Sequence, residues 1–338
     1  MAIKTKNILV TGSAGFLGSP LCFNLLKMGY KVTGIDNYSN SDESNTQKLI
    51  KCYKNSFNFY DLDLSDNISD LNEIFIKHRP SFVIHFAALK SVDESEKHPE
   101  VYWRNNIQST KNLLSSMINF KCNKIIYSSS AAVYGNQDVQ PIKENALLEP
   151  ISVYAETKIK CEELIKEASI SFGIDGISLR YFNPIGSHSS KLFKEVLKNN
   201  SGTIMNEIIN TALDNNRILK IFGNNYPTKD GTCERDFIHL DDLINAHEKS
   251  INFINDFRGY EVFNVGTGKP VSILELVSNF IKHNQVGLRY EFSLKRAGDI
   301  QSSYADVRKI NDMLNWESKK NLEDMVKDSW EAHSKKND

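Results

Sequence analysis

Tyr154-Ala-Glu-Thr-Lys158 sets a phenol and an ammonium one helical turn apart, so both side chains can meet the same ligand. A free phenol, with a pKa of about 10, is a poor base at neutral pH, but a neighbouring lysine cation favours its phenolate and makes it a usable proton acceptor. Alone, the pair is a common feature of surface helices. It gains meaning from Tyr127-Ser128-Ser129-Ser130, a run of hydroxyls at the carboxyl end of an apolar strand, where the ligands of open α/β sheets gather. One such hydroxyl can hydrogen-bond a substrate oxygen; the plainer roles for serines there are a turn or a helix cap.

A second constellation lies near the start. Thr11-Gly12-Ser13-Ala14-Gly15-Phe16-Leu17-Gly18 joins a strand to a helix with the spacing G-x-x-G-x-x-G. Side chains in such a turn would keep the backbone from a pyrophosphate, while the helix N-terminus offers N–H groups and a positive dipole end. Asp36 closes the next strand, eighteen residues beyond Gly18, where a carboxylate accepts hydrogen bonds from ribose hydroxyls. Asn37-Tyr38 supplies no arginine for a 2′-phosphate, which Asp36 would repel. The pattern therefore favours NAD over NADP. Pro20 is tolerated because the first helical N–H groups lack intrahelical partners, and it places the helix start near Phe16.

These groups must be held by a parallel sheet wrapped in helices. Strand-like Asn7–Thr11, Lys31–Asp36, Phe57–Tyr60, Phe82–Phe86 and Lys124–Tyr127 alternate with helical segments such as Leu71–His78, the pattern of an α/β fold. Leu17, Leu21, Leu25 and Met28 recur on one face of the first helix, which Gly29 can end. Val153–Ala168 is expected as a helix and Gly176–Arg180 as a strand. From Asn183 to Arg235 the chain is loop-rich around one helix, Ile204–Leu213, which suggests a ligand-covering region. Glu261–Val265 is expected to return to the main sheet as a strand.

Composition narrows the partners. The 338 residues are 40% hydrophobic and 25% charged with a formal net charge of −1, ordinary for a globular protein and unsuited to nucleic acid as the main partner. Five scattered cysteines, with no C-x-x-C pair and no metal-ligand pattern, suit a reducing compartment. No signal-like or membrane-spanning run is present, so a cytoplasmic location is expected, with no metal. His85, on an apolar strand, reads as a satisfied core histidine rather than a ligand.

Further segments extend these patterns: His85-Phe-Ala-Ala-Leu-Lys90, Ser128-Ser-Ser-Ala-Ala-Val-Tyr-Gly135, Leu179-Arg-Tyr-Phe-Asn-Pro184, Ile221-Phe-Gly-Asn-Asn-Tyr-Pro227, Arg235-Asp-Phe-Ile-His239 and Phe263-Asn-Val-Gly-Thr-Gly268. With them the chain resembles, over nearly its whole length, the extended short-chain dehydrogenase/reductase family and, within it, the UDP-glucose (UDP-galactose) 4-epimerases. The resemblance implies a Rossmann-type doubly wound parallel sheet with a smaller, interleaved C-terminal domain. The NAD-binding part would cover 1–183, with returns near 236–266, and the nucleotide-sugar-binding part 184–338.

It also implies roles. Tyr154 would take the proton from the sugar 4-hydroxyl as hydride moves from C4 to NAD, and hydride would return to the opposite face of the resulting 4-keto sugar. Lys158 would bind the nicotinamide ribose and lower the tyrosine pKa, and Ser130 would bond the reacting oxygen. Cofactor contacts would fall on Gly12, Gly15, Phe16, Leu17, Gly18, Asp36, Asn37, Asp63, Leu64, Phe86, Ala87, Lys90, Asn106, Ser128 and Phe182. Those to the UDP-sugar would fall on Asn183, Thr203, Lys220, Ile221, Phe222, Arg235, Arg296, Asp299 and Ser303, the arginines suiting a diphosphate. A homodimer through a helix bundle is implied as well.

Two departures bear on substrate. Gly202-Thr203 stands where relatives usually have Asn-Asn, after a basic stretch from Lys191 to Asn200. Ser303 stands where hexose-restricted relatives carry a bulky aromatic, so it either leaves room for an N-acetyl group or is simply a small loop residue. Two other functions share these motifs: a nucleotide-sugar 4,6-dehydratase and a non-catalytic NAD-binding scaffold. The first needs an acidic pair after the strand-end hydroxyl, where Ala131-Ala132 stand; the second would not need to keep Tyr154 and Lys158.

Overall fold

In a computed structural model, residues 6–66, 68–193, 203–296 and 298–334 are described. The strands β1 (Asn7–Thr11), β2 (Lys31–Asp36), β3 (Phe57–Asp61), β4 (Phe82–His85), β5 (Lys124–Ser130) and β6 (Asp175–Tyr181) join Tyr260–Val265 in one sheet. Their order is Tyr260–Val265, β6, β5, β4, β1, β2, β3. The β1–β2, β2–β3, β1–β4 and β4–β5 pairs are parallel. This is the doubly wound Rossmann order, in which the strand sequence reverses between β1 and β4 and opens a ligand crevice at their carboxyl ends. Continuous burial of Ile8, Leu9, Val10, Val83 and Ile84 is what a sheet covered on both faces requires.

The chain divides into two compact units. The first comprises Met1–Ser130, Ser152–Leu179 and His247–Val262, the second Ala131–Ile151, Arg180–Ala246 and Phe263–Asp338. Each has its own core. Leu9, Leu71, Phe75, Val83, Leu113, Ile125 and Ile165 pack in the first; Ile208, Ile221, Phe237, Leu276, Phe280 and Val326 pack in the second. The second unit also carries short sheets, among them Leu219–Phe222 with Tyr290–Ser293, and Glu234–Arg235 between Val271–Ser272 and Ser302–Ser303.

Several local expectations shift. The first helix runs Gly18–Lys27 rather than starting near Phe16, because the glycine turn extends through Leu17; Pro20 still lies in the first turn, where its missing N–H costs nothing. Met28 caps that helix and is half exposed, so the buried stripe ends at Leu25 and Leu26. The helix expected over Val153–Ala168 continues to Phe172, stopped by Gly173 in the left-handed region, and its start is capped by Ser152, whose Oγ accepts from the Ala155 N–H. The sequence pattern did not single out the π-helical turn at Trp103–Gln108.

Candidate active site

In the first unit, the glycine turn leaves β1 at the crevice. Gly12 has φ +68°, and a Cβ there would sit 2.8 Å from the Ala87 amide nitrogen; a Cβ on Gly18 would fall on the Gly12 carbonyl oxygen. The following helix has a buried first turn, no side-chain cap and no acidic residue in that turn. An uncapped, buried positive end beside bare backbone fits a pyrophosphate. Asp36 ends β2 with Oδ2 accepting from the Ala14 N–H (2.9 Å) and Oδ1 from the Tyr38 N–H (2.9 Å) and Ser41 Oγ (3.0 Å). The Asp36 carboxylate thus braces the turn and is held at its rim. Asn37 Nδ2 donates to Asp63 Oδ2 (2.8 Å), and Ser65 donates to Asp63 Oδ1 through N (2.8 Å) and Oγ (2.7 Å). Burial pushes the Asp63 carboxyl up, but these hydrogen bonds outweigh it and hold it below its usual range.

Leu64 is buried, and Phe86 lies with its ring centroid 4.9 Å from that of His247. Ala87 N–H donates to Thr11 Oγ1. Lys90 is exposed. Asn106, on the π-helical turn, spends its amide on the chain itself: Oδ1 accepts from the Leu89 N–H (2.8 Å), and Nδ2 donates to the Leu89 carbonyl (3.2 Å) and Thr157 Oγ1 (3.0 Å). It clamps the loop after β4 to the helix that bears Tyr154. Insertions of this kind are frequent at functional sites.

Ser128, Ser129 and Ser130 are the last residues of β5. Lys158 is 3% exposed, its Nζ donating to the Ser128 carbonyl (2.7 Å) and lying 5.7 Å from the Tyr154 ring centroid. Burial pushes the Tyr154 phenol up to about 12, with a hydrogen bond to Ser130 pulling the other way. Burial lowers the Lys158 ammonium to about 8. So Ser130, Tyr154 and Lys158 share one corner, with Lys158 buried and the two hydroxyl-bearing residues half-buried, where a phenol and an ammonium respond to added charge. His85, buried, contacts Thr11 Oγ1 (2.7 Å) and Thr110 Oγ1 (3.1 Å). Burial, with the Lys158 charge adding to it, lowers its pKa to about 3, so the imidazole is neutral at pH 7.

In the second unit, Arg296 forms a fork with Asp299, Nε and Nη2 each 3.1 Å from a carboxylate oxygen, and lies 4.7 Å over the Phe222 ring. Arg235 Nη1 donates to the carbonyls of Glu234 (2.8 Å) and Ile300 (2.7 Å), and Arg235 pairs in register with Ser303, which is 9% exposed. Ile221 is buried, whereas Lys220 alternates outward on the same strand. Phe182 is buried with its N–H bonded to the Val265 carbonyl, and Asn183 N–H donates to the Asp236 carbonyl. Thr203 is exposed at the start of Ile204–Leu213 and makes no capping bond. Gly202 and the stretch from 194 to 201 lie outside the described residues.

The GDP-mannose 4,6 dehydratase family profile matches residues 9–329. Over 328 residues the chain is 37% identical to the UDP-glucose 4-epimerase of Bacillus subtilis (strain 168), covering 97% of this chain and 96% of that protein. The chain belongs to the UDP-glucose 4-epimerase family of extended short-chain dehydrogenase/reductases. Among solved members, the UDP-glucose 4-epimerase from Stenotrophomonas maltophila, with bound NAD and formylated UDP-arabinopyranose, matches with a TM-score of 0.93 at 35% identity over 97% of each chain. The UDP-Glc/GlcNAc 4-epimerase from Campylobacter jejuni matches with a TM-score of 0.84 at 31% identity, covering 97% of this chain and 99% of that one.

Within this epimerase chain, Glu96, Ser95 and Glu162 were not singled out by motif, and Ser129 and Tyr226 lie in quoted segments but were given no role. Glu96 Oε1 accepts from the Val153 N–H (2.8 Å) and Ser95 Oγ from the Tyr154 N–H (3.2 Å), fixing the start of the Tyr154 helix. Ser129 Oγ donates to Glu162 Oε1 (2.5 Å). Tyr226 is 8% exposed with Lys295 Nζ 3.9 Å over its ring. The serine cluster, the Ile221–Pro227 segment and the i, i+4 spacing of Lys158 and Glu162 offered sequence signals; Glu96 and Ser95 come from a distant segment. Among the described residues no group of His, Cys, Asp or Glu could hold a metal, and no helix is long and apolar enough to cross a membrane.

Proposed function

We propose that this protein is an NAD-dependent 4-epimerase that interconverts UDP-glucose and UDP-galactose and also accepts UDP-GlcNAc and UDP-GalNAc. The observation that carries the reading is the corner in which the half-buried Tyr154 meets Ser130 and Lys158 is buried beneath them. The first unit would hold NAD through the glycine turn, Asp36 and the Lys158 ammonium. When bound, NAD supplies the hydride acceptor and donor at the sugar carbon and a positive charge that draws the Tyr154 phenol down. Tyr154 takes the proton from the sugar 4-hydroxyl and gives it back on the return. Lys158 opposes reprotonation electrostatically, and Ser130 orients the reacting oxygen.

In the second unit, Arg235 and Arg296 would hold the diphosphate, with Arg296 exchanging Asp299 for phosphate oxygens. Ser303 would leave room for the N-acetyl group. The dehydratase reading meets two methyl side chains at Ala131 and Ala132, neither able to carry a proton. A homodimer and cytoplasmic residence complete the proposal, supported by exposed Val101, Trp103, Ile170 and Phe172 and by five free cysteines. Sedimentation tests the dimer.

The deciding experiment incubates the purified protein with each of the four UDP-sugars, without added NAD and then with it, and reads the products by NMR. Interconversion at C4, lost in Tyr154→Phe, is expected. A 4-keto-6-deoxy product, or no turnover even with NAD, overturns the reading.

A further inference from the structure

We propose that Glu162 is a positioning residue for the Tyr154–Lys158 pair, a buried counter-charge that keeps Lys158 in its ammonium form. The proposal rests on the epimerase reading. Tyr154, Lys158 and Glu162 follow one another at i, i+4 and i+8 on the Val153–Phe172 helix, so they form one stripe. Lys158 and Glu162 are 3% and 5% exposed. The chain anchors both to adjacent residues at the end of β5: Lys158 Nζ donates to the Ser128 carbonyl at 2.7 Å, and Glu162 Oε1 accepts from Ser129 Oγ at 2.5 Å. One strand end thus fixes the ammonium and the carboxylate together.

Among the described residues, the other titratable groups packed against Lys158 offer no compensating charge at neutral pH. Tyr127 presents its ring, with Nζ 4.9 Å from the centroid, and its phenol is pushed well above its ordinary value by burial. His85, from β4, is held neutral by burial, and its charged form would oppose the lysine. Cys161 would support the lysine as a thiolate, but burial pushes its thiol up, so at neutral pH it carries no charge. Tyr154, on the same helix, is the group Lys158 serves. Glu162 is left as the carboxylate that offsets the desolvation of a lysine already lowered to about 8. A buried lysine is neutralised as pH rises through its pKa; take away an opposing charge and that happens at lower pH.

The test is Glu162→Gln beside Glu162→Asp, in the full-length protein. The amide is expected to move the alkaline limb of kcat/KM down by about one pH unit, while the shorter carboxylate leaves it near the wild-type position. Independently of turnover, the ¹³Cε signal of Lys158 in lysine-labelled protein, assigned with Lys158→Arg, should titrate about one unit lower in the amide variant. Should that variant fail to fold, Ser129→Ala/Glu162→Met takes its place; removing both hydrogen-bonding partners leaves neither unsatisfied. An unmoved titration, or a loss of activity uniform across pH, overturns the proposal. Failure of the wild-type protein to epimerise any UDP-sugar would instead overturn the functional reading.

Discussion

The two groups of candidate site residues are built on opposite physical terms. Around Tyr154 and Lys158, side chains come from a strand end and a helix; Lys158 and Glu162 are buried and held to β5 by hydrogen bonds of 2.7 and 2.5 Å, while Tyr154 and Ser130 are half-buried. Around Arg235 and Arg296, side chains come from two-residue strands and a loop, and Arg296 is half exposed in its pair with Asp299. Arg296 is the solvent-facing member of that pair, its side chain 53% exposed against 11% for Asp299, so it is the partner able to turn toward a phosphate. The difference teaches where each kind of residue should act: a buried lysine and a half-buried phenol in the chemical step, and more solvent-facing cations, Arg296 above all, in binding.

The largest expected effect follows from the first group. Tyr154→Phe removes the phenol but keeps the ring, so kcat should fall by about 10²–10⁴ with KM and thermal midpoint unchanged. A large rise in KM instead would break the contrast. Next comes Gly12→Ala, which forces a side chain into a left-handed backbone position and toward the Ala87 amide. It should cost about 1–3 kcal/mol and release NAD, seen as a lower melting temperature and as loss of NAD absorbance from the purified protein.

A smaller effect is expected in the second unit. Arg235→Ala should raise KM for UDP-sugars by about ten- to a hundredfold, the worth of one or two charge-assisted bonds, with kcat within a few-fold of wild type. Asp299→Ala should change KM far less, since it frees Arg296 rather than removing it. If Arg235→Ala lowers kcat as much as Tyr154→Phe does, the division between chemistry and binding fails.

Much of the first unit could be read in advance because its determinants are local. Buried strands alternate with helices, Gly12 and Gly18 mark a turn, and Tyr154 and Lys158 lie one turn apart on a helix that Ser152 caps. What escaped depended on distant pairing. The Trp103–Gln108 π-turn earns its place through Asn106, whose partners are Leu89 and Thr157. The N–H groups of Val153 and Tyr154 are met by Glu96 and Ser95, some sixty residues earlier. In the second unit the strands are two to four residues long, too short for an alternation to show. There Arg235, Arg296 and Ser303 could be proposed only through resemblance.

Ser303→Tyr probes the least local of these residues and carries the smallest effect on hexose turnover. Ser303 is 9% exposed, in register with Arg235, and its carbonyl accepts from the Asp236 N–H at 3.0 Å. A tyrosine adds bulk to a residue of a short, paired strand, so overpacking of up to about 1–3 kcal/mol can lower the melting temperature whatever the substrate. Absolute rates therefore say little; the ratio of kcat/KM for UDP-GlcNAc to that for UDP-Glc, taken on one preparation, cancels any loss of folded protein. If Ser303 makes room for the N-acetyl group, the ratio should fall by at least about tenfold, since one lost contact or one clash of about 1.4 kcal/mol already gives that factor. An unchanged ratio with both rates reduced would mark Ser303 as a packing residue of its short strand, and would move the choice between hexose and N-acetylhexosamine elsewhere in the second unit.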